Sequence, residues 1–198
     1  MFELPTSVFI DGVEYPIRNR GDFRMVIDCF EALDDSELDA DYRVITSLII
    51  FYDGMRDEDD VIATFGNDEG LKQAILKMYD FFNCGQPNAP GAVTKHKLVD
   101  WKGDAQLIAG AVNTVANKEV RAEPYLHWWT FMGYYLNIGD SAFSTIVGIR
   151  NKIKTGKKLE KHEKEFKRDN PQYFVWDSQT TEDSQTNDYL RSLWNNGG

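Results

Sequence analysis

The feature that most constrains this chain is the run EPYLHWWTFMGYYLN, from Glu123 to Asn137. It places two tryptophans, one phenylalanine and three tyrosines around a single histidine. A helix that begins at Pro124 has its first φ fixed by the ring, and Glu123 before it favours the positive end of the helix dipole. Apolar residues cover nearly the whole circumference of this predicted helix. It is therefore either the central helix of a domain or a helix with one face on a partner.

The composition is that of a globular protein with an uneven charge. Of the 198 residues, 42% are hydrophobic and 13% are aromatic, which is enough apolar surface to form a core. Residues 1–100 hold 20 acidic and 9 basic residues, a net charge of −11, whereas residues 101–198 hold 12 and 13, a net charge of +1. An acidic surface repels nucleic acid, so the charge of the N-terminal half argues against a nucleic-acid partner.

The N-terminal residues, MFELPTSVF, have no basic start and no long apolar run, so we expect no signal peptide. The aromatic run is shorter than the roughly 17 residues that cross a bilayer, and it contains His127 and Asn137. An intracellular protein with no membrane partner is predicted. Cys29 and Cys84 lie far apart in apolar surroundings and are expected to be reduced core residues rather than a disulfide.

Hydrophobic periodicity predicts a mainly α protein, a helical domain with a small N-terminal β-hairpin. Residues 7–17, SVFIDGVEYPI, hold two β-prone runs around Asp11-Gly12, a two-residue loop suited to a type I′ turn. Four helical patterns follow the hairpin, the first with Asp22 as its N-cap. They span residues 22–33, 42–52, 61–65 and 71–83.

The chain is predicted to divide into two helical modules. Residues 85–98 carry Pro, Gly and Asn with little apolar content, which is typical of a linker between modules at 1–84 and 99–176. The second module holds a helix over 101–116, the aromatic helix, and a helix capped by Ser141. That last helix runs into a basic segment that Asn170-Pro171 ends. Residues 177–198 are polar, and we expect them to be disordered.

No sequence motif points to catalysis, a cofactor or a metal. The chain contains none of GxGxxG, GxxxxGK[ST] or GxSxG, and its acidic loops lack the Gly and Glu positions of an EF-hand. His127 among aromatic residues is more typical of a core histidine with one hydrogen bond than of a base or ligand. We therefore expect a protein that is not an enzyme and that works through protein contacts.

Two groups of residues are candidate partner-binding surfaces. The first lies in the aromatic helix and comprises Trp128, Trp129, Phe131 and Tyr135. Packing in the core is the alternative for this group. The second lies in the segment from Arg150 to Arg168, which has nine bases and three acids. It comprises Lys154, Lys157, Lys158 and Lys161.

The basic segment is also the best candidate for binding nucleic acid. Against that reading, it lacks interleaved aromatic residues and contains glutamates. A solvated helix, or a docking strip for an acidic protein, is favoured instead.

The order of these features resembles a known family. The opening LPTSVFIDGVEYPIRNRGDFR, the block LHWWTFMGYYLNIGDSAFSTIVGIRNKIKTGKKLEKHEKEF and the Asn-Pro after it are similar to the phage and prophage family labelled by gene-product number fifteen. The resemblance covers about residues 3–175, and HWWTF is its most specific part.

What the resemblance implies is a tail-assembly chaperone of long-tailed phages of Gram-positive bacteria. Such proteins coat the tape-measure protein, keep it soluble and let tail-tube subunits polymerise around it before leaving. The implied partners are the tape-measure and tail-tube proteins, with a homo-oligomer left open. The implied location is the host cytoplasm during assembly, not the mature virion. The alternative is a structural tail or head-completion component of the virion.

Overall fold

The computed structural model describes residues 3–66, 68–86 and 98–174. Within them the chain is mainly α-helical with one antiparallel hairpin, which confirms the predicted fold class. The described residues divide into two units. One is formed by 3–66, 68–86 and Tyr125–Thr130, the other by 98–124 and 131–174. Most of the predicted linker and all of the predicted tail over 177–198 lie outside the described residues.

The N-terminal hairpin consists of β1 (Ser7–Ile10) and β2 (Val13–Pro16). Asp11 and Gly12 between them have φ of 50° and 82°, the two positive values that a type I′ turn requires. The ring of Tyr15 packs against Tyr52 and Phe65, with ring centroids 6.2 and 5.2 Å apart. A hairpin alone is only marginally stable, so these ring contacts with the helical part of the unit stabilise it.

Four helices follow the hairpin in the first unit. They are α1 (Phe23–Leu33), α2 (Ala40–Phe51), α3 (Glu58–Phe65) and α4 (Asp68–Phe82). Asp22 caps α1 as predicted, because its carboxylate accepts the Arg24 N–H at 3.0 Å. Cys29 is buried, and both cysteines are free thiols. The fully buried side chains of this unit include Val26, Val44, Leu48, Phe51, Ile75 and Met78.

The second unit contains the rest of the helices in the described residues. They are α5 (Ala105–Ala116), the later part of α6 (Trp128–Leu136), α7 (Ala142–Lys154) and α8 (Lys161–Asp169). Ser141 caps α7 in a reciprocal capping box with Ser144. Gly156 follows α7 with a φ of 68°, so α7 and α8 are separate helices. The buried side chains include Ile108, Val112, Phe131, Phe143, Ile146 and Ile149.

The predicted start of the aromatic helix at Pro124 is wrong, because α6 begins at Trp128. The Phe23 N–H donates to the Leu126 carbonyl at 2.9 Å, and the Leu126 N–H donates to the Asp22 carboxylate at 2.9 Å. These two bonds engage the carbonyl and the N–H of Leu126. In a helical turn at 125–127, the same groups would be directed along the helix axis instead. A tertiary backbone pairing therefore overrides the local preference of proline for the first turn of a helix.

The first helix of the second module also begins later than the periodicity predicts, at Ala105 rather than Trp101. The Asp100 carboxylate accepts the N–H groups of Lys102 and Gly103, at 3.1 and 2.8 Å. An aspartate that bonds the backbone two and three residues ahead forms a turn that competes with the helix. This local turn delays the helix by one turn.

Candidate functional site

The two tryptophans of the HWW sequence contact the end of α4 in the first unit. Trp128 Nε1 donates to the Phe82 carbonyl and Trp129 Nε1 donates to the Phe81 carbonyl, both at 2.9 Å. The last carbonyls of a helix have no partner within it, so each indole satisfies one of these acceptors. Trp128 also packs against Phe30, with ring centroids 5.8 Å apart. The pair thus caps α4 from positions 46 and 48 residues later in the chain.

His127 takes part in the same contact. Its Nδ1 accepts the Trp129 N–H at 3.0 Å, and its Nε2 lies 2.9 Å from the Pro5 carbonyl. Because a carbonyl can only accept, we assign the proton to Nε2 and treat the ring as neutral. Burial lowers the pKa of His127, although the Pro5 carbonyl and Asp22 act in the opposite direction. The ring therefore serves as the N-terminal cap of α6.

The predicted aromatic group lies at two depths. Trp128 and Phe131 are 1% and 2% exposed, whereas Trp129 and Tyr135 are half-buried. The Tyr135 ring packs against Trp101, with centroids 5.5 Å apart. The burial of Trp128 and Phe131 favours the core alternative for those two residues. Partner binding by this group stays a prediction.

The predicted basic group is placed at the surface of the second unit. Lys154 is half-buried at the end of α7, while Lys157, Lys158 and Lys161 are exposed. Lys164, one turn further along α8, is also exposed. We call the four exposed residues the lysine strip: Lys157, Lys158, Lys161 and Lys164. None of them forms an ion pair with a residue in the described part of the chain.

The inner side of α8 holds the strip in place. Lys152 donates to Glu163 at 2.7 Å, and this hydrogen bond lowers the pKa of Glu163. The Phe166 ring meets the Phe174 ring edge-on, with centroids 6.4 Å apart. Glu163 and Phe166 are three residues apart and so share one side of the helix. The opposite side, with Lys161 and Lys164, is left to solvent.

Arg150 belongs to the basic segment in sequence but not to its surface. Its side chain is 7% exposed and forms a two-pronged ion pair with Asp104, which is 1% exposed. The same guanidinium donates to the carbonyls of Leu98 and Tyr173. Sequence reasoning missed this role, although Arg150 follows Ile146 by four residues and so falls on the apolar side of α7.

The Cys29 thiol is buried in the core of the first unit. Burial raises the pKa of the Cys29 thiol, whereas a nucleophilic cysteine needs a lowered one. Across residues 3–66, 68–86 and 98–174, no three His, Cys, Asp or Glu side chains come together as a metal site would need. None of the helices there is long and apolar enough to span a bilayer. The absence of enzymatic activity stays a prediction.

The comparison with family models decides the family. The model described as bacteriophage Gp15 protein matches residues 1–174. This chain belongs to the bacteriophage Gp15 protein family. It is therefore a phage structural or assembly protein. Searches of curated proteins and of solved structures gave no match.

The hairpin of this Gp15-family protein carries exposed apolar residues that the sequence analysis did not single out. Phe9 is 59% exposed and Val13 is 54% exposed. Phe9 lies opposite Glu14 in the register, on the side of the hairpin away from the buried Ile10. The exposure of Phe9 could have been predicted from strand alternation, because Phe9 and Ile10 must point to opposite sides of the hairpin.

The buried His127 of the Gp15-family protein predicts a loss of stability in mild acid. An unfolded histidine has a pKa near 6.5, and the folded pKa is lower. Between these values the unfolded chain binds more protons, so the free energy of unfolding falls as the pH drops below about 6.5. Urea unfolding at a series of pH values from about 8 to about 5 measures this slope.

The control for this pH dependence is His127→Asn, whose side-chain oxygen can still accept the Trp129 N–H but does not titrate. We expect the variant to be less dependent on pH than the wild type over this range. Parallel pH profiles for the two proteins would show that His127 does not contribute.

Proposed function

We propose that this Gp15-family protein is a tail-assembly chaperone. In this role it binds the tape-measure protein, keeps it soluble and helps to recruit tail-tube subunits. The observation that carries the proposal is Phe9, a large apolar ring that is 59% exposed on the outer side of the hairpin. A protein that holds an aggregation-prone partner needs apolar side chains available at its surface.

The charge of the chain supports the same role. Residues 1–100 carry a net charge of −11, and the whole chain carries −10. A net charge far from zero keeps a protein soluble, and a complex with an apolar client retains part of that charge. An exposed apolar hairpin on an acidic unit therefore combines client binding with solubility.

The test is to co-express the full chain with the tape-measure protein of the same phage. We expect the tape-measure protein to become soluble and to co-purify with the wild-type chain. An insoluble tape-measure protein, with this chain alone in the supernatant, would contradict the proposal. Mass spectrometry of finished virions addresses the alternative of a structural virion component. We expect the chain to be absent from them, and its presence would favour that alternative.

Phe9→Thr locates the contact within this experiment. Threonine retains a preference for strands while removing the ring. If Phe9 is a central contact, we expect affinity for the tape-measure protein to fall roughly tenfold or more. The free energy of unfolding should change by only about 0.5 kcal/mol, since the ring is mostly exposed.

The matched control is Tyr42→Gln, which removes a ring that is 50% exposed at the start of α2. Its binding should equal that of the wild type. Equal binding by the Phe9 and Tyr42 variants would remove the hairpin from the proposal.

A further inference from the structure

The loop between α1 and α2 carries the charge opposite to that of the lysine strip. Residues 34–41, DDSELDAD, comprise this loop and the first two residues of α2. They hold five acids and no base, and we call them the acidic loop. Glu37, Asp39 and Asp41 are exposed, and none of the three forms an ion pair with a described residue. Asp39 precedes α2, but its side chain makes no capping hydrogen bond. These carboxylates are therefore available to a partner.

The backbone of the acidic loop is held in place from inside the first unit. Arg43 is 3% exposed, and its Nε donates to the Leu38 carbonyl at 2.9 Å. The Asp35 carboxylate accepts the Glu37 N–H at 2.9 Å. A surface that is already ordered loses little conformational entropy when it binds. Glu37 and Asp39 are thus presented on a fixed loop, and Asp41 on the first turn of α2.

The lysine strip is presented on an equally ordered element. A capping box between Glu160 and Glu163 fixes the start of α8. Lys161 and Lys164 are three residues apart, so they lie about 4.5 Å apart along the helix axis. With Lys157 and Lys158 just before the helix, four positive charges face solvent.

The strip fits an acidic protein better than a nucleic acid. Glu160 and Glu165, both exposed, lie among the lysines and would meet phosphates with a like charge. Among the described residues of the strip and α8, the one Phe, Tyr or Trp ring, Phe166, packs against Phe174 and is only partly exposed. It is therefore a poor platform for stacking on bases.

We propose that the lysine strip of one copy binds the acidic loop of a second copy of this chain. Charge complementarity carries the assignment, with four exposed lysines on one surface and three exposed carboxylates on the other. Two reciprocal contacts of this kind close a two-fold dimer, whereas one contact per pair builds rings or open chains of copies. Exposed ion pairs are individually weak and screened by salt, so the association is weak and salt-sensitive. It does not depend on tape-measure binding.

Sedimentation velocity of the full chain at low and high salt gives the first test. We expect self-association at about 50 mM salt, with a dissociation constant roughly tenfold or more higher at about 500 mM, where the Debye length is only a few ångströms. A chain that remains monomeric at both salt concentrations overturns the proposal.

A charge swap gives the decisive test. Lys161→Glu with Lys164→Glu removes the net positive charge of the four-residue strip, and Asp39→Lys with Asp41→Lys leaves the three exposed positions of the loop with a net charge of +1. Each variant alone then lacks opposite net charges across the contact and should be monomeric. A mixture of the two variants restores opposite charges across the contact and should associate. If both variants self-associate as the wild type does, or if the mixture remains monomeric, the proposed contact is wrong.

The matched control is Lys77→Glu with Lys118→Glu, which changes the net charge as much as Lys161→Glu with Lys164→Glu does. These lysines are 39% and 40% exposed. Lys77 lies 3.9 Å from Asp80, and Lys118 lies 3.3 Å from Glu123. This variant should self-associate like the wild type. Loss of association would show that net charge, and not the lysine strip itself, controls self-association. Circular dichroism checks that each variant is folded, and Lys161→Gln with Lys164→Gln provides a neutral version. Strip-dependent binding to duplex DNA with unchanged self-association would also overturn the proposal.

Discussion

Replacement of Trp128 by Ala is expected to lower the free energy of unfolding by about 3 to 5 kcal/mol, the range for loss of a large buried aromatic side chain. The ring is 1% exposed, and its N–H satisfies the Phe82 carbonyl at the end of α4. The variant therefore loses packing and also leaves a helix carbonyl without its partner. Urea unfolding followed by far-UV circular dichroism measures the change.

Leu136→Ala is the matched control for Trp128, because it lies on the same helix and is 73% exposed. Its cost should stay within about 0.5 kcal/mol. A Trp128→Ala protein with unchanged stability and lost tape-measure binding would instead make Trp128 a partner contact. The two outcomes separate core packing from partner binding for this residue.

Replacement of Arg150 by Met is expected to cost about 3 to 5 kcal/mol, the range for removing one partner of a buried ion pair. Asp104 would then keep a buried charge with its guanidinium partner gone. The carbonyls of Leu98 and Tyr173 would lose their donors as well. The loss should appear in urea unfolding as a lower midpoint.

The control for Arg150 is the double variant Asp104→Leu with Arg150→Met. Replacing both members of a buried pair by apolar residues is often neutral or stabilising, so we expect much of the lost stability to return. Arg121→Ala, which breaks the exposed pair with Glu119, should change the stability very little, because exposed ion pairs are screened by solvent. If Arg150→Met cost no more than Arg121→Ala, the buried pair would contribute little to stability.

These substitutions separate residues that stabilise the interior of one unit from residues that face solvent. Trp128 and Arg150 are buried, whereas Phe9 and the lysine strip are exposed. A substitution at an exposed site can change binding with little change in stability. The proposed contacts can therefore be tested without unfolding the protein.

The local sequence determined most of the elements. Asp11-Gly12 fixed the hairpin because both residues adopt positive φ at low cost. Asp22 and Ser141 fixed the starts of α1 and α7, since each side chain caps the backbone of its own helix. Asn170-Pro171 fixed the end of α8 in the same local way. Signals of this kind depend only on neighbouring residues, so they can be read without a tertiary structure.

Only the tertiary structure decided the roles of residues whose partners are distant in sequence. The start of α6 moved from Pro124 to Trp128 because Asp22 and Phe23, about 100 residues earlier, pair with Leu126. Arg150 lies at the start of a basic segment in the sequence, but in the fold its guanidinium pairs with the buried Asp104. In each case a buried polar group needs a hydrogen-bonding partner, and the sequence near that group does not indicate which distant residue provides the partner.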